Sequence, residues 1–187
     1  MFESYGKPGL YRGTRPGWVW AAIVGTGILA AFVHWVLQAQ PLLDRTVQLS
    51  VPPALPDHPR FKGMMAILRC IYRNVEFQVL PHGAPSRVPA VFYVELTDKI
   101  IGAPAGTGLD PKSGRRVIQM SLAHSALGLR TLAHEFGHHK TGDVGVSPWP
   151  FFFQTIQNTL FDIRIDVSHL RLLHLGRCRS VRQGAEA

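Results

Sequence analysis

Leu122–Lys140 reads LAHSALGLRTLAHEFGHHK and contains His134-Glu135-Phe136-Gly137-His138. Residues four apart share one face of a helix, so His134 and His138 can offer imidazole nitrogens to a single metal ion. Glu135 follows the first histidine by one position and projects to the side, where it can take a proton from a metal-bound water. Leu129, Leu132, Ala133 and Phe136 give the helix an apolar side, and Gly137 permits close packing. Zinc (Zn2+) suits this set, because it accepts imidazole and carboxylate in tetrahedral sites and lowers the pKa of its water toward ~7.

A hydrolytic zinc site needs a third protein ligand and an open fourth position. The continuation HExxHxxGxxH is absent, since Thr141 and Val144 stand where its glycine and third histidine belong. A second helix is the better source. Phe151–Leu175 is strongly apolar, yet Asn158, Asp162, Asp166 and His169 fall at i, i+4, i+8 and i+11, one polar stripe on a greasy helix. Buried carboxylates persist only when paired or metal-bound. Asp162 as third ligand, with Asp166 accepting a hydrogen bond from a ligand imidazole, satisfies both acids. Asp166 itself and Asp143, which sits between Gly142 and Gly145 in a turn composition, are the rival ligands.

These residues resemble the gluzincin-type HExxH zinc metallopeptidases in their minimal, membrane-anchored forms, over roughly residues 60–175. The resemblance implies an α+β, zincin-like fold: a small mixed sheet, an HExxH helix and a C-terminal ligand helix. It implies His134, His138 and Asp162 as ligands, Glu135 as general base, and Asp166 behind the first histidine. Asn158 to Asp166 is also similar to an NxLEDxRxE pattern, with Phe161 in place of its glutamate, which sets Asn158 beside Asp166 as a supporting residue. Gluzincins commonly use glutamate as third ligand, so the shorter Asp162 demands a closer approach of the two helices. The activity implied is peptide hydrolysis on a peptide or protein substrate. His169 and Tyr93 are the candidates to steady the oxyanion; His139 points off the metal face, and His124 is an ordinary loop or helix-start residue. The alternative is a membrane-anchored binding or assembly protein whose zinc is structural or vestigial.

Ahead of this region, Trp18–Leu37 carries no formal charge and is about the length a helix needs to cross a ~30 Å hydrocarbon layer, with Trp18, Trp20 and Trp35 near its ends. It predicts a transmembrane helix over 18–38 and a cytoplasmic segment over 1–17. Lys7, Arg12 and Arg15 precede it, so the positive-inside bias places the catalytic domain outside the cytoplasm, in the periplasm if the source is bacterial. Pro52, Pro53, Pro56 and Pro59 mark 39–59 as a stiff linker. The catalytic domain follows over 60–176, and a basic, disordered tail over 177–187.

Within that domain, residues 60–72 have helical spacing of apolar groups, and 75–80, 91–96 and 116–121 read as strands. An extended substrate could add to a sheet edge at 91–96 or 117–120. Within the turn-rich stretch Gly102–Gly114, residues Gly106–Ser113 resemble a phosphate-binding loop, but Pro111 lacks the N–H that a phosphate cradle needs, and the stretch reads as a connection between strands. Twenty Lys and Arg against 12 Asp and Glu give the 187-residue chain a formal charge of +8. These cations are dispersed, without the basic runs or aromatic platforms of a nucleic-acid binder. The two cysteines, Cys70 and Cys178, exclude a CxxC zinc ribbon and leave one disulfide open.

Overall fold

The structure is a computed structural model that describes residues 16–38, 41–97, 103–124, 126–144 and 151–186. The chain divides into two compact units, residues 1–38 and 39–187. The first contributes one helix, α1 (Pro16–Gln38), with exposed Trp18, Trp20, Ile23, Val24 and Leu29. Among the described residues, no helix is long and apolar enough to cross a membrane. The span expected over 18–38 is therefore not established. The segment 1–15 and the side chains of His34 and Trp35 lie outside the described residues.

The second unit is a mixed α+β domain. Its sheet has the order β2-β1-β3-β5-β4, built from β1 (Thr46–Val51), β2 (Glu76–Pro81), β3 (Ala90–Leu96), β4 (Ala105–Leu109) and β5 (Arg116–Met120). All neighbours are parallel except β4, which runs antiparallel to β5. The helices are α2 (Pro59–Ile71), α3 (Thr131–Thr141), α4 (Phe151–Leu170) and α5 (Arg179–Glu186), with a π turn over Arg171–Leu175.

Alternation builds the core. Val47, Leu49 and Val51 of β1 share one face with Phe92 and Val94 of β3 and with Ile118 and Met120 of β5. In the same buried cluster are Phe61, Met64 and Leu68 of α2 and Leu132, Ala133 and Phe136 of α3. Pro59 starts α2 at a position where a missing N–H costs nothing. At the other end of the catalytic motif, Gly142 takes φ +82°, the left-handed conformation that ends α3, and its N–H bonds to the His138 carbonyl at 3.0 Å.

Three expectations need correction. The expected linker contains β1, which pairs on both sides; no proline falls between Pro41 and Pro52, leaving the six residues TVQLSV free to extend. The connection over 102–114 contains β4, whose Gly106 and Gly108 tolerate the extended pairing of an edge strand. The expected tail folds as α5 against α2, held by a Cys70–Cys178 disulfide with Cα atoms 5.8 Å apart. Because β3 and β5 are interior strands, neither has the free edge proposed for substrate; among the described residues β4 does.

Candidate metal centre

α3 and α4 pack side by side, and the small residue at 137 makes this possible. A Cβ on Gly137 would lie 2.9 Å from both Ile165 Cγ2 on α4 and the Tyr72 hydroxyl. The close approach that the short Asp162 side chain requires is thus built into the interface. His134, His138 and Asp162 come together, the group of His, Cys, Asp and Glu among the described residues that could hold a metal ion. His134 Nε2 and His138 Nε2 are 3.2 Å apart, and Asp162 Oδ1 lies 3.5 Å from the first and 3.1 Å from the second.

The far side of each imidazole is tied to a carboxylate. His134 Nδ1 bonds to Asp166 Oδ1 at 3.0 Å, and Arg130 approaches the same oxygen at 3.4 Å. His138 Nδ1 bonds to Asp143 Oδ2 at 2.9 Å, while the Thr141 hydroxyl donates to Asp143 Oδ1 at 3.1 Å. A carboxylate only accepts, so each Nδ1 carries a proton and each Nε2 presents a lone pair. Two lone pairs and a carboxylate oxygen then converge without a proton to share. Only positive charge between them relieves that repulsion, either a proton on one ring or a metal ion facing all three. Burial pulls the His138 pKa down, but the Asp143 hydrogen bond and the charges of Asp143, Glu135 and Asp162 outweigh it and hold the pKa above the ordinary value.

Glu135 is 8% exposed and lines the same cleft of about 480 Å³ as His134, His138 and Asp162. Burial raises its pKa, partly offset by His134 and His138, which makes it a better proton acceptor than a solvated carboxylate. Asn158 stands one turn before Asp162 on the cleft wall, and Ala105 and Thr107 of β4 form another side. The cleft is therefore bounded by α3, α4 and a sheet edge.

His169 does not line the cleft. It is 2% exposed, and its Nε2 meets the Tyr72 hydroxyl at 2.9 Å. That hydroxyl also lies 3.4 Å from the Ala133 carbonyl, so the contact joins α2, α3 and α4. Burial, with His134 nearby, pushes the His169 pKa down to about 4, leaving the ring neutral. Tyr93 lines a separate hollow beside Arg115, whose guanidinium lies 4.8 Å from the ring centre. His139 turns away from the metal-binding atoms, as expected, and its Nε2 meets the Thr107 hydroxyl at 2.6 Å. Since that hydroxyl donates to the Val117 carbonyl, His139 is the donor to Thr107 and pins α3 to β4. His124 sits in a turn, its Nδ1 accepting from the Ala126 N–H at 3.1 Å.

Asp143 is the ring-holding partner that sequence reasoning assigned otherwise: a rival ligand there, it instead binds the back of His138. The signal was the adjacent Gly142, whose left-handed turn folds the chain back so that the Asp143 N–H bonds to the His138 carbonyl at 3.1 Å. Arg130 and Tyr72 carried no comparable signal. The chain matches no protein-family model and no curated protein.

Proposed function

We propose that the chain is a zinc-dependent peptidase of the HExxH kind, anchored to a membrane through α1 and working outside the cytoplasm. The observation that carries the metal assignment is the triangle of donor atoms, with sides of 3.1, 3.2 and 3.5 Å. A tetrahedral zinc with bonds of ~2.0–2.1 Å has ligand-to-ligand edges of about 3.3 Å, so His134, His138 and Asp162 already stand at ligand spacing. Two imidazoles and one carboxylate also form a donor set that zinc favours.

When bound, zinc supplies Lewis acidity toward a carbonyl oxygen and a water. The chain's own residues do the rest. Asp166 and Asp143 hold the two imidazoles in the tautomer that presents Nε2. Glu135, its basicity raised by burial, takes the proton of the attacking water and returns it to the leaving amine. The free edge of β4 borders the cleft, so an extended peptide can pair with its backbone and lie across the metal-binding atoms. The Cys70–Cys178 disulfide supports an oxidising, extracytoplasmic setting. The apolar composition of 18–37 supports the anchor.

The test is Glu135→Gln. The variant should keep one equivalent of zinc and lose about 10²–10⁴-fold in hydrolysis of an unfolded casein or a quenched peptide library. A glutamine variant as active as the wild type, or a zinc-loaded wild type that cleaves neither substrate, overturns the proposal.

A further inference from the structure

α4 has a second face that the metal site leaves unused. Leu160, Ile163, Val167 and Leu170 are 47%, 54%, 61% and 39% exposed. At 100° per residue these four positions fall within about 80° of arc, a continuous aliphatic stripe. Asp162, Asp166 and His169 belong to a different flank. Beside the stripe stand Arg164 and Arg171, both exposed, and no carboxylate pairs with either among the described residues. An aliphatic face edged with free cations on one helix is the pattern of a segment that lies in the plane of a membrane interface.

We propose that this face of α4 docks on an anionic lipid surface, with the aliphatic stripe at the headgroup–acyl boundary and Arg164 and Arg171 against lipid phosphates. Charge decides between this occupant and a second copy of the chain. An antiparallel two-fold pairing of the stripe would bring like-charged arginines together, whereas anionic headgroups neutralise them. Area points the same way: four aliphatic side chains make a patch of a few hundred Å², below the ~800 Å² per partner of a stable protein interface. The chain's formal charge of +8 adds to the attraction. Docking would keep the domain against the bilayer, so that substrates at the membrane surface are favoured. The inference needs no hydrolytic activity and borrows from the proposed function only the nearness of a membrane.

The experiment is hydrogen exchange on the full chain reconstituted with phosphatidylglycerol vesicles, with phosphatidylcholine vesicles, or in solution without lipid. Amides over 160–171 should exchange at least tenfold more slowly with phosphatidylglycerol than with phosphatidylcholine. Ile163→Glu with Val167→Glu should remove the protection, and Arg164→Gln with Arg171→Gln should weaken the phosphatidylglycerol preference about 25-fold, taking each arginine as about fivefold. All four positions are exposed, and unchanged exchange over α3 reports that the fold survives. Equal exchange on the two lipids overturns the proposal, as does lipid-independent protection that grows with protein concentration, the mark of a second copy. Flotation with phosphatidylcholine vesicles reads α1 separately: a chain that floats without α4 protection keeps its anchor and loses this inference, and protection without such flotation does the reverse.

Discussion

Replacing Asp143 by alanine separates the atoms that would hold the metal from the atoms that aim them. The Asp143 side chain is only 2% exposed, accepts from His138 Nδ1 at 2.9 Å and receives the Thr141 hydroxyl at 3.1 Å. Without it the His138 ring can turn and can shift its proton to Nε2, where it blocks metal binding. Loss of such an outer partner typically weakens a metal 10–100-fold, or about 1.4–2.7 kcal/mol. Asp162→Ala removes a proposed ligand instead. If about 10–16 kcal/mol of a four-ligand zinc site is shared evenly, that loss is roughly 3 kcal/mol, about 150-fold. Competition against a chromophoric chelator measures both affinities, and the visible absorption of the Co2+-substituted protein reports the donor set. Asp143→Ala should weaken cobalt while leaving its band positions unchanged, whereas Asp162→Ala should move them. The opposite pattern, bands shifted by Asp143→Ala and kept by Asp162→Ala, would refute the reasoning and make Asp143 the ligand.

Gly137→Ala should destabilise the domain by about 1–3 kcal/mol in urea unfolding and weaken the metal, because its Cβ would press Ile165 and the Tyr72 hydroxyl at 2.9 Å. Removing the disulfide with Cys70→Ala and Cys178→Ala releases a 108-residue loop closure and should cost up to about 4–5 kcal/mol, with α5 the first region to lose hydrogen-exchange protection. In the presence of a chelator, acid should destabilise the fold through its buried histidines. Burial holds the His169 pKa near 4 and the His139 pKa near 3, below the ~6.5 of an unfolded histidine, so the unfolded chain binds more protons. Their contribution is full above pH ~6.5 and falls through the interval down to about pH 4 and 3, at no more than ~1.4 kcal/mol per pH unit for each ring. His138, whose pKa is raised, works in the opposite direction. A urea midpoint that stays flat or rises on acidification across that interval would contradict this assignment.

Much of the site was legible because its chemistry is local. His134, Glu135 and His138 are fixed by helical spacing alone, and a carboxylate stripe on an apolar helix must find a cation. What spacing could not show is which way a chain leaves a helix. Asp143 reads as a turn residue or a ligand until the left-handed Gly142 is seen to fold it back onto His138. The same limit hid β1 and β4. A six-residue strand before a run of prolines, and a strand containing two glycines, carry weak local signals and are decided by their neighbours: β1 is paired on both sides and β4 closes an edge. α5 was hidden for another reason. Its polar, arginine-rich sequence gives little drive to fold, and the Cys178 link to α2 supplies what composition does not.

The most direct measurement is a crystal structure of the zinc-saturated protein with diffraction recorded on both sides of the zinc absorption edge. One anomalous peak is expected, ~2.0–2.2 Å from His134 Nε2, His138 Nε2 and an Asp162 oxygen, with its remaining position open toward Glu135 and the β4 edge. A peak elsewhere, a fourth protein ligand closing the site, or no zinc bound between α3 and α4 would contradict it.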